Sequence, residues 1–417
     1  GIVTEVLEAS PERVDPQDPD SYLSTSPWQL MNFPAEQHYK AALIEEAFEL
    51  HDIVLPEAID IYTDGREYHY RNKVEFSWYG ETDATSGVDT LHLAFFRRGS
   101  KGKLPIEACA LLPEPIMQLA REIRDFLQSA GVEARQLKTL LIRCDQAGAC
   151  VWQLYVKDQL PDIISADAAA SFGAQGGEVI YSDPRSPASR ITERLASFGD
   201  IVLTDTTLGI PFHYATEGFF QINIPVYEQA LQDMQHWVDS ATSFSEGSAF
   251  PAEPGTRQVV TSGPGVPEEK DSGRVYPAKA KVLDLYSGVG SIGLTIGGPG
   301  CTLVEINEDA VREMRRNISA LGSDAEAVLA PSEKALEYIT ADKTIIVDPP
   351  RAGLHADVIA RLLEVKPARI IYLSCNPVTQ ARDVAMLAEA YGIRAHCGYN
   401  FFPRTPHIEH LVILDCK

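Results

Sequence analysis

The chain has 417 residues, too many for one ordinary core, so two or three domains are expected. Hydrophobic residues make up 45% and charged residues 23%, as in soluble globular proteins. No run approaches the ~18–20 apolar residues of a membrane helix. The net charge of −23 repels a polyphosphate and by itself favours a small-molecule enzyme. Screening confines that repulsion to about 8–10 Å, so local basic patches can still act. The first twenty residues are acidic and proline-punctuated, unlike a secretory signal. Seven irregularly spaced cysteines fit a reducing compartment, and a cytoplasmic protein is expected.

In chain order, apolar residues at helical spacing after Pro34 predict a helix over 35–50. From 53 to 180, alternating aromatic-rich runs separated by turn residues predict a largely antiparallel β domain, interrupted by a helix over 115–131. Residues 241–277, rich in Ser, Gly, Pro and Glu, read as a long mobile loop. Beyond it, short apolar runs (KVLDLYS, CTLVEI, TIIVDPP, RIIYLSC, HLVILD) mostly alternate with helix-like stretches. That alternation predicts an α/β architecture with a parallel, doubly wound sheet of Rossmann type. Ligands of such sheets sit at the carboxyl ends of the strands.

The first of these strands runs into Asp284-Leu-Tyr286-Ser287-Gly288-Val289-Gly290-Ser291-Ile292-Gly293. Its G-x-G-x-x-G spacing is compatible with a dinucleotide site, an S-adenosylmethionine site or a tight turn. Asp284 at the strand end would repel a pyrophosphate and suit a cationic sulfonium. Glu305 ends the next strand, placed to accept ribose hydroxyls from either cofactor or to cap the helix that follows.

Three later segments carry reactive groups at strand boundaries. Asp348 lies in Val347-Asp-Pro-Pro-Arg351, Cys375 in Leu373-Ser-Cys-Asn-Pro377, and Glu409 follows Phe402-Pro-Arg-Thr-Pro-His407-Ile408. A lone cysteine is more often a small buried hydrophobe. Together, however, EGFFQIN (217–223), VLDLYSGVGSIGL (282–294), DPPRAGL (348–354), SCNPVTQARD (374–383) and FPRTPHIE (402–409) resemble the RNA uracil-5-methyltransferase family, particularly its ribosomal-RNA branch. Weaker likeness extends upstream through YRNKVEFS (70–77) to SPERVDP (10–16).

The resemblance implies S-adenosylmethionine as cofactor and a uridine in RNA, of ribosomal RNA before transfer RNA, as substrate. It implies Cys375 as nucleophile, Glu409 as base and Asp348 on the polar edge of the base. It places Gln221, Tyr286, Gly288, Gly290, Ser291, Glu305 and Asp348 around the methyl donor, with Phe219 walling the pocket. The chemistry suits those residue types. Carbon 5 of uracil is a poor nucleophile until a thiolate adds to carbon 6, and a base must then remove the carbon 5 proton. The uracil must also leave the stack to be reached from both faces.

The resemblance further implies three parts: 1–27 as the remnant of an N-terminal barrel, 28–185 as a central RNA-binding domain, and 186–417 as the methyltransferase domain. The helix over 35–50 is expected to pack on the last of these. Many relatives hold an iron–sulfur cluster, but Asp18–Trp28 lacks cysteines and only Cys109 matches a ligand position. One thiolate cannot hold a cluster needing about four, so no cluster or other metal is expected. Pro331 stands where relatives often place an acidic residue beside the adenine. Arg97, Arg98 and Lys101, next to Phe95 and Phe96, suit phosphate contact and base stacking, or equally a solvated loop. A monomer with no membrane association is expected. The rival readings are an NAD-dependent oxidoreductase, which leaves Cys375 and Glu409 unexplained, a non-catalytic RNA-binding relative, and a methyltransferase of another substrate.

Overall fold

The computed structural model describes residues 5–82, 89–187, 189–239 and 281–417, and the loop expected at 241–277 lies outside them. Two large sheets organise the chain. The first has eight strands in the order Ile61–Tyr62, Tyr391–Tyr399, Glu409–Cys416, Arg369–Ser374, Lys343–Val347, Lys281–Leu285, Thr302–Glu305 and Glu326–Leu329. The last five are parallel to one another. Their runs are apolar on both faces (Ile345, Ile346, Ile370 and Ile371 are fully buried), as a sheet covered on both sides requires. Glu409–Cys416 runs antiparallel to both its neighbours. The strand order reverses between Lys281–Leu285 and Lys343–Val347, which opens a crevice at their carboxyl ends.

The second sheet has seven strands in the order Lys103–Pro105, Asp89–Phe96, Lys73–Thr82, Leu137–Cys144, Cys150–Val156, Gly176–Tyr181 and Glu193–Gly199. Only the pairing of Cys150–Val156 with Gly176–Tyr181 is parallel, so the sheet is largely antiparallel as expected. Helix Glu114–Ser129 buries Ile116, Leu119, Ala120, Ile123 and Leu127 against it. Strand Glu193–Gly199 carries this sheet past residue 185. A hairpin of Val202–Thr207 and Ile210–Ala215 follows, its two-residue turn at Leu208 and Gly209 having φ of 49° and 81°.

Helix Phe33–Glu49 starts where the Asn32 side chain accepts the Ala35 N–H at 2.9 Å. It packs on the eight-stranded sheet, with Ile44, Ala47 and Phe48 among Tyr372, Val412 and Leu414. Ile61–Tyr62 then pairs along the edge of that sheet. The chain therefore enters the eight-stranded layer, leaves to build the seven-stranded one, and returns. Glu36 and Lys40, both fully buried, bind the loop between the last two strands. The Glu36 carboxylate accepts the Arg404 N–H at 3.0 Å and the Asn400 amide at 2.9 Å. Lys40 Nζ donates to Asn400 Oδ1 at 2.5 Å and to the Phe402 carbonyl at 3.0 Å. These bonds hold Arg404 at φ 65°, a left-handed conformation unusual outside glycine.

Candidate active site

A cavity of about 940 Å³ fills the crevice and collects residues from both layers. Tyr286, Gly288, Ser291, Glu305, Asp348, Cys375, Glu409, Phe219 and Gln221 all line it. Sheet geometry explains the meeting. Asp348 and Cys375 each follow the last residue of a parallel strand, Val347 and Ser374. Glu409 opens the antiparallel strand, and because Ser374 pairs with His410 the register sets Glu409 alongside Cys375.

Cys375 is half-buried and unpaired with other cysteines. Burial first, then the Glu409 and Asp348 carboxyls, push its thiol up to about 11, while a hydrogen bond and charge from Arg351 oppose them. Burial raises Asp348 to about 7. Glu409 is buried, and burial together with Asp348 raises it well above the usual carboxylate range, against Arg351. Three acidic groups thus share one enclosed space, and they cannot all ionise without a cation beside them. Arg351 is one such cation, and sequence reasoning overlooked its place next to the thiol although it lies in the DPPR run.

The glycine loop divides its work. Gly288 lines the cavity and its N–H donates to Glu305 Oε2 at 3.0 Å, while Glu305 Oε1 accepts the Asn307 N–H at 2.8 Å. Glu305 thus steadies the loop while still facing the cavity. Gly290, at φ 86°, caps helix Ser291–Ile296 and faces inward, where an added Cβ would crowd Leu294 and Met314 at 3.0 and 3.1 Å. Asp284 does not reach the cavity. It is fully buried beneath the loop, its Oδ2 accepting the Gly293 N–H at 2.9 Å. The sulfonium contact expected of it gives way to a loop-bracing role. Burial raises its carboxyl to about 8.

Other lining residues carried no sequence signal. Tyr227 hydrogen-bonds Ser291 Oγ at 2.8 Å, and Glu333 brings a carboxylate two residues beyond Pro331. Arg97, Arg98 and Lys101 are exposed on a tight hairpin closed by the Arg97 N–H donating to the Gly102 carbonyl at 2.8 Å, away from the cavity lining. Cys109, Cys144 and Cys150 are buried and free. Among the described residues, no group of three or more His, Cys, Asp or Glu could hold a metal, and no helix is long and apolar enough to cross a membrane.

The doubly wound sheet, with its cavity at the strand reversal, defines a Rossmann-like fold. The family model for tRNA (uracil-5-)-methyltransferase matches residues 335–417. An uncharacterised RNA methyltransferase of Nitratidesulfovibrio vulgaris is 26% identical over 94% of this chain and 80% of its own length. The tRNA (uracil(54)-C(5))-methyltransferase of Pyrococcus abyssi is 43% identical over 131 residues, 31% of each chain. A crystal structure of the Pyrococcus abyssi tRNA (uracil-54, C5)-methyltransferase with S-adenosyl-L-homocysteine shares the fold, with a TM-score of 0.73 and 21% identity over 98% of this chain and 88% of that one. Over residues 335–417 the chain thus matches the uracil-5-methyltransferase family's model, and over nearly its whole length it is similar to RNA methyltransferases.

Proposed function

We propose that this protein methylates carbon 5 of a uridine in RNA, with S-adenosylmethionine as methyl donor and 23S ribosomal RNA as substrate. One observation carries the reading: Cys375, Glu409 and Asp348 meet in a single cavity with the glycine loop and Glu305. At about 940 Å³ the cavity is at the upper end of small-molecule sites (~300–1,000 Å³), which leaves room for a cofactor and a nucleoside. Its acidic groups suit a cationic ligand. When bound, the donor supplies an electrophilic methyl group.

The chain's own residues do the rest. Cys375 Sγ, as thiolate, bonds to carbon 6 and makes carbon 5 enolate-like. Arg351 favours that thiolate. Asp348 holds the polar edge of the flipped base. Once carbon 5 carries its methyl, Glu409 takes the carbon 5 proton, and the pair of electrons released expels Cys375 from carbon 6. The raised affinity of Glu409 for protons fits that last task. Gln221, Tyr286, Gly288, Ser291 and Glu305 surround the donor, and Phe219 walls the base side.

In place of the expected division at residue 185, the seven-stranded sheet, which ends at Gly199, serves as the RNA-binding part through Arg97, Arg98 and Lys101, beside a methyltransferase part built on the eight-stranded sheet. The protein works as a cytoplasmic monomer in ribosomal-RNA maturation. A second reading, transfer RNA as substrate, is favoured by the 43% identity to the Pyrococcus abyssi enzyme. Nucleoside mapping by mass spectrometry, on RNA from cells with and without the protein, should show 5-methyluridine missing from one ribosomal site when the protein is absent. Loss from transfer RNA alone would select the second reading, and no loss anywhere would end both.

A further inference from the structure

Residues 217–221 line the cavity yet belong to no helix or strand. What holds them is a row of side chains from the seven-stranded sheet and its approach. Lys73 Nζ donates to the Glu217 carbonyl at 3.1 Å, and Asn72 Nδ2 to the Gln221 carbonyl at 3.2 Å. Between them, Arg143 donates through Nη1 to the Gly218 carbonyl and through Nη2 to the Phe220 carbonyl, both at 2.7 Å. The Glu217 carboxylate is also gripped, by Gln153 at 2.8 Å and Arg194 at 2.5 Å.

Arg143 is fully buried and its guanidinium lies 4.5 Å over the Tyr214 ring, which stacks on Phe220 at 4.4 Å. Burying a guanidinium is costly, and a neutral apolar residue would fill the space at less cost. What the charge achieves is geometric. A planar fork reaches two carbonyls through two separate nitrogens in one fixed plane, whereas an ammonium offers a single, freely turning point. The residue between those carbonyls is Phe219, whose own side chain is 70% exposed and has little packing to orient it.

We propose that Arg143, assisted by Lys73 and Asn72, is a positioning residue that aims Phe219 into the cavity mouth from the seven-stranded sheet. The inference rests on the reading above in which Phe219 meets the flipped base. RNA bound to the seven-stranded sheet and the base in the cavity are thereby held in one frame, through a segment that has no secondary structure of its own.

The test is a double-mutant cycle on full-length protein, read as the rate of covalent adduct formation with 5-fluorouridine RNA. Arg143→Lys should slow adduct formation by about 10–100-fold, as expected for a misplaced contact group, while calorimetric S-adenosylhomocysteine binding persists. Phe219→Ala should give a similar loss, and the double variant should be no slower than Phe219→Ala alone. If the two losses multiply, Arg143 does not act through Phe219 and the inference falls, while the reading of Phe219 survives. A fully active Phe219→Ala enzyme would remove both. Should Arg143→Lys fail to fold, Lys73→Met and Asn72→Ala take its place in the same cycle. Each is expected to be slower by a smaller factor that disappears in the Phe219→Ala background, and a factor that multiplies there overturns the inference.

Discussion

Two stretches of irregular backbone line the cavity, and they are held in opposite ways. The glycine loop is built locally. Its turn comes from residues with positive φ (Tyr286, Gly288 and Gly290), and its main braces, Asp284 and Glu305, lie within 17 residues. The 217–221 segment is held from afar, by side chains up to 149 residues away. A loop that carries its own geometry is readable in a sequence window, whereas a segment held by another sheet reads as featureless coil. Both line the same cavity, so local regularity is no guide to how firmly a wall of it is fixed.

The largest effect should come from the strand ends between these stretches. Cys375→Ala is expected to abolish both methylation and adduct formation. Glu409→Gln cannot accept the carbon 5 proton and should slow turnover by about 10²–10⁴ while covalent RNA–protein complex accumulates on denaturing gels. Wild-type turnover in Glu409→Gln would transfer the base role to His407, which lines the same cavity, or to a water.

Next comes the local device itself. A Cβ at Gly293 would run into Leu303 and come within 2.9 Å of Asp284 Oδ2. Gly293→Ala should therefore destabilise the protein by about 1–3 kcal/mol and weaken S-adenosylhomocysteine binding. Unchanged melting and affinity would mean that the loop is supported from elsewhere, and the contrast would lose its local half.

How much of this was legible follows the same line. The glycine loop, the strand-end positions of Asp348 and Cys375, and the helices over 33–49 and 114–129 announce themselves through spacing of at most a few turns. Arg143 does not. In LLIRC it looks like the polar position of an alternating strand, and its partners lie 75 and 77 residues further on. Glu36 and Lys40 are a fully buried i,i+4 pair, and nothing in their spacing signals the loop near residue 400 that they bind. Asp284 misled for a different reason. Its place at a strand end was right, but the side chain turns under the loop to satisfy the Gly293 N–H. Strand Ile61–Tyr62 is too short to carry a period at all.

Smaller effects should separate the two regions by pH. Burial raises Asp284 to about 8 and Asp348 to about 7, against an ordinary value of 3.8 for each. Between those limits the folded protein holds protons that the unfolded chain has released, so stability falls as pH rises from about 4 to 8. Asp284→Asn, which keeps an acceptor for Gly293, should flatten that slope. Lys73 behaves oppositely. Burial, then Arg143, lower it to about 8 despite Glu75 and Glu217, with Arg71 lowering it further. From about 8 to 10.5 the unfolded chain holds the extra proton, so this group makes stability rise with pH, and Lys73→Met should remove that limb. Thermal melts across about pH 4–10 check both signs.

The smallest effect lies furthest from the cavity. Replacing Arg97, Arg98 and Lys101 with Ala should leave melting and cofactor binding intact. It should weaken RNA binding and lower the salt slope by about 2–3, since each phosphate left without its cation removes roughly 0.7–0.9. An unaltered slope would return that hairpin to the status of a solvated turn.

The route of the chain also has a consequence in time. Helix Phe33–Glu49 is made long before the loop that receives Lys40 and Glu36. At roughly 5–20 residues per second, the 360 residues between Lys40 and Asn400 take about 20–70 s to synthesise. For most of that interval Ile44 and Phe48 lack strand Arg369–Ser374, and throughout it two opposite charges lack the backbone they will bind. Helix–coil exchange is faster than this by many orders of magnitude, so the helix forms and melts repeatedly while it waits. The seven-stranded layer has all its strands once Gly199 emerges, so it can fold first. The eight-stranded layer then closes between segments far apart in sequence, and this long-range closure is the step most open to capture by chaperones or to aggregation.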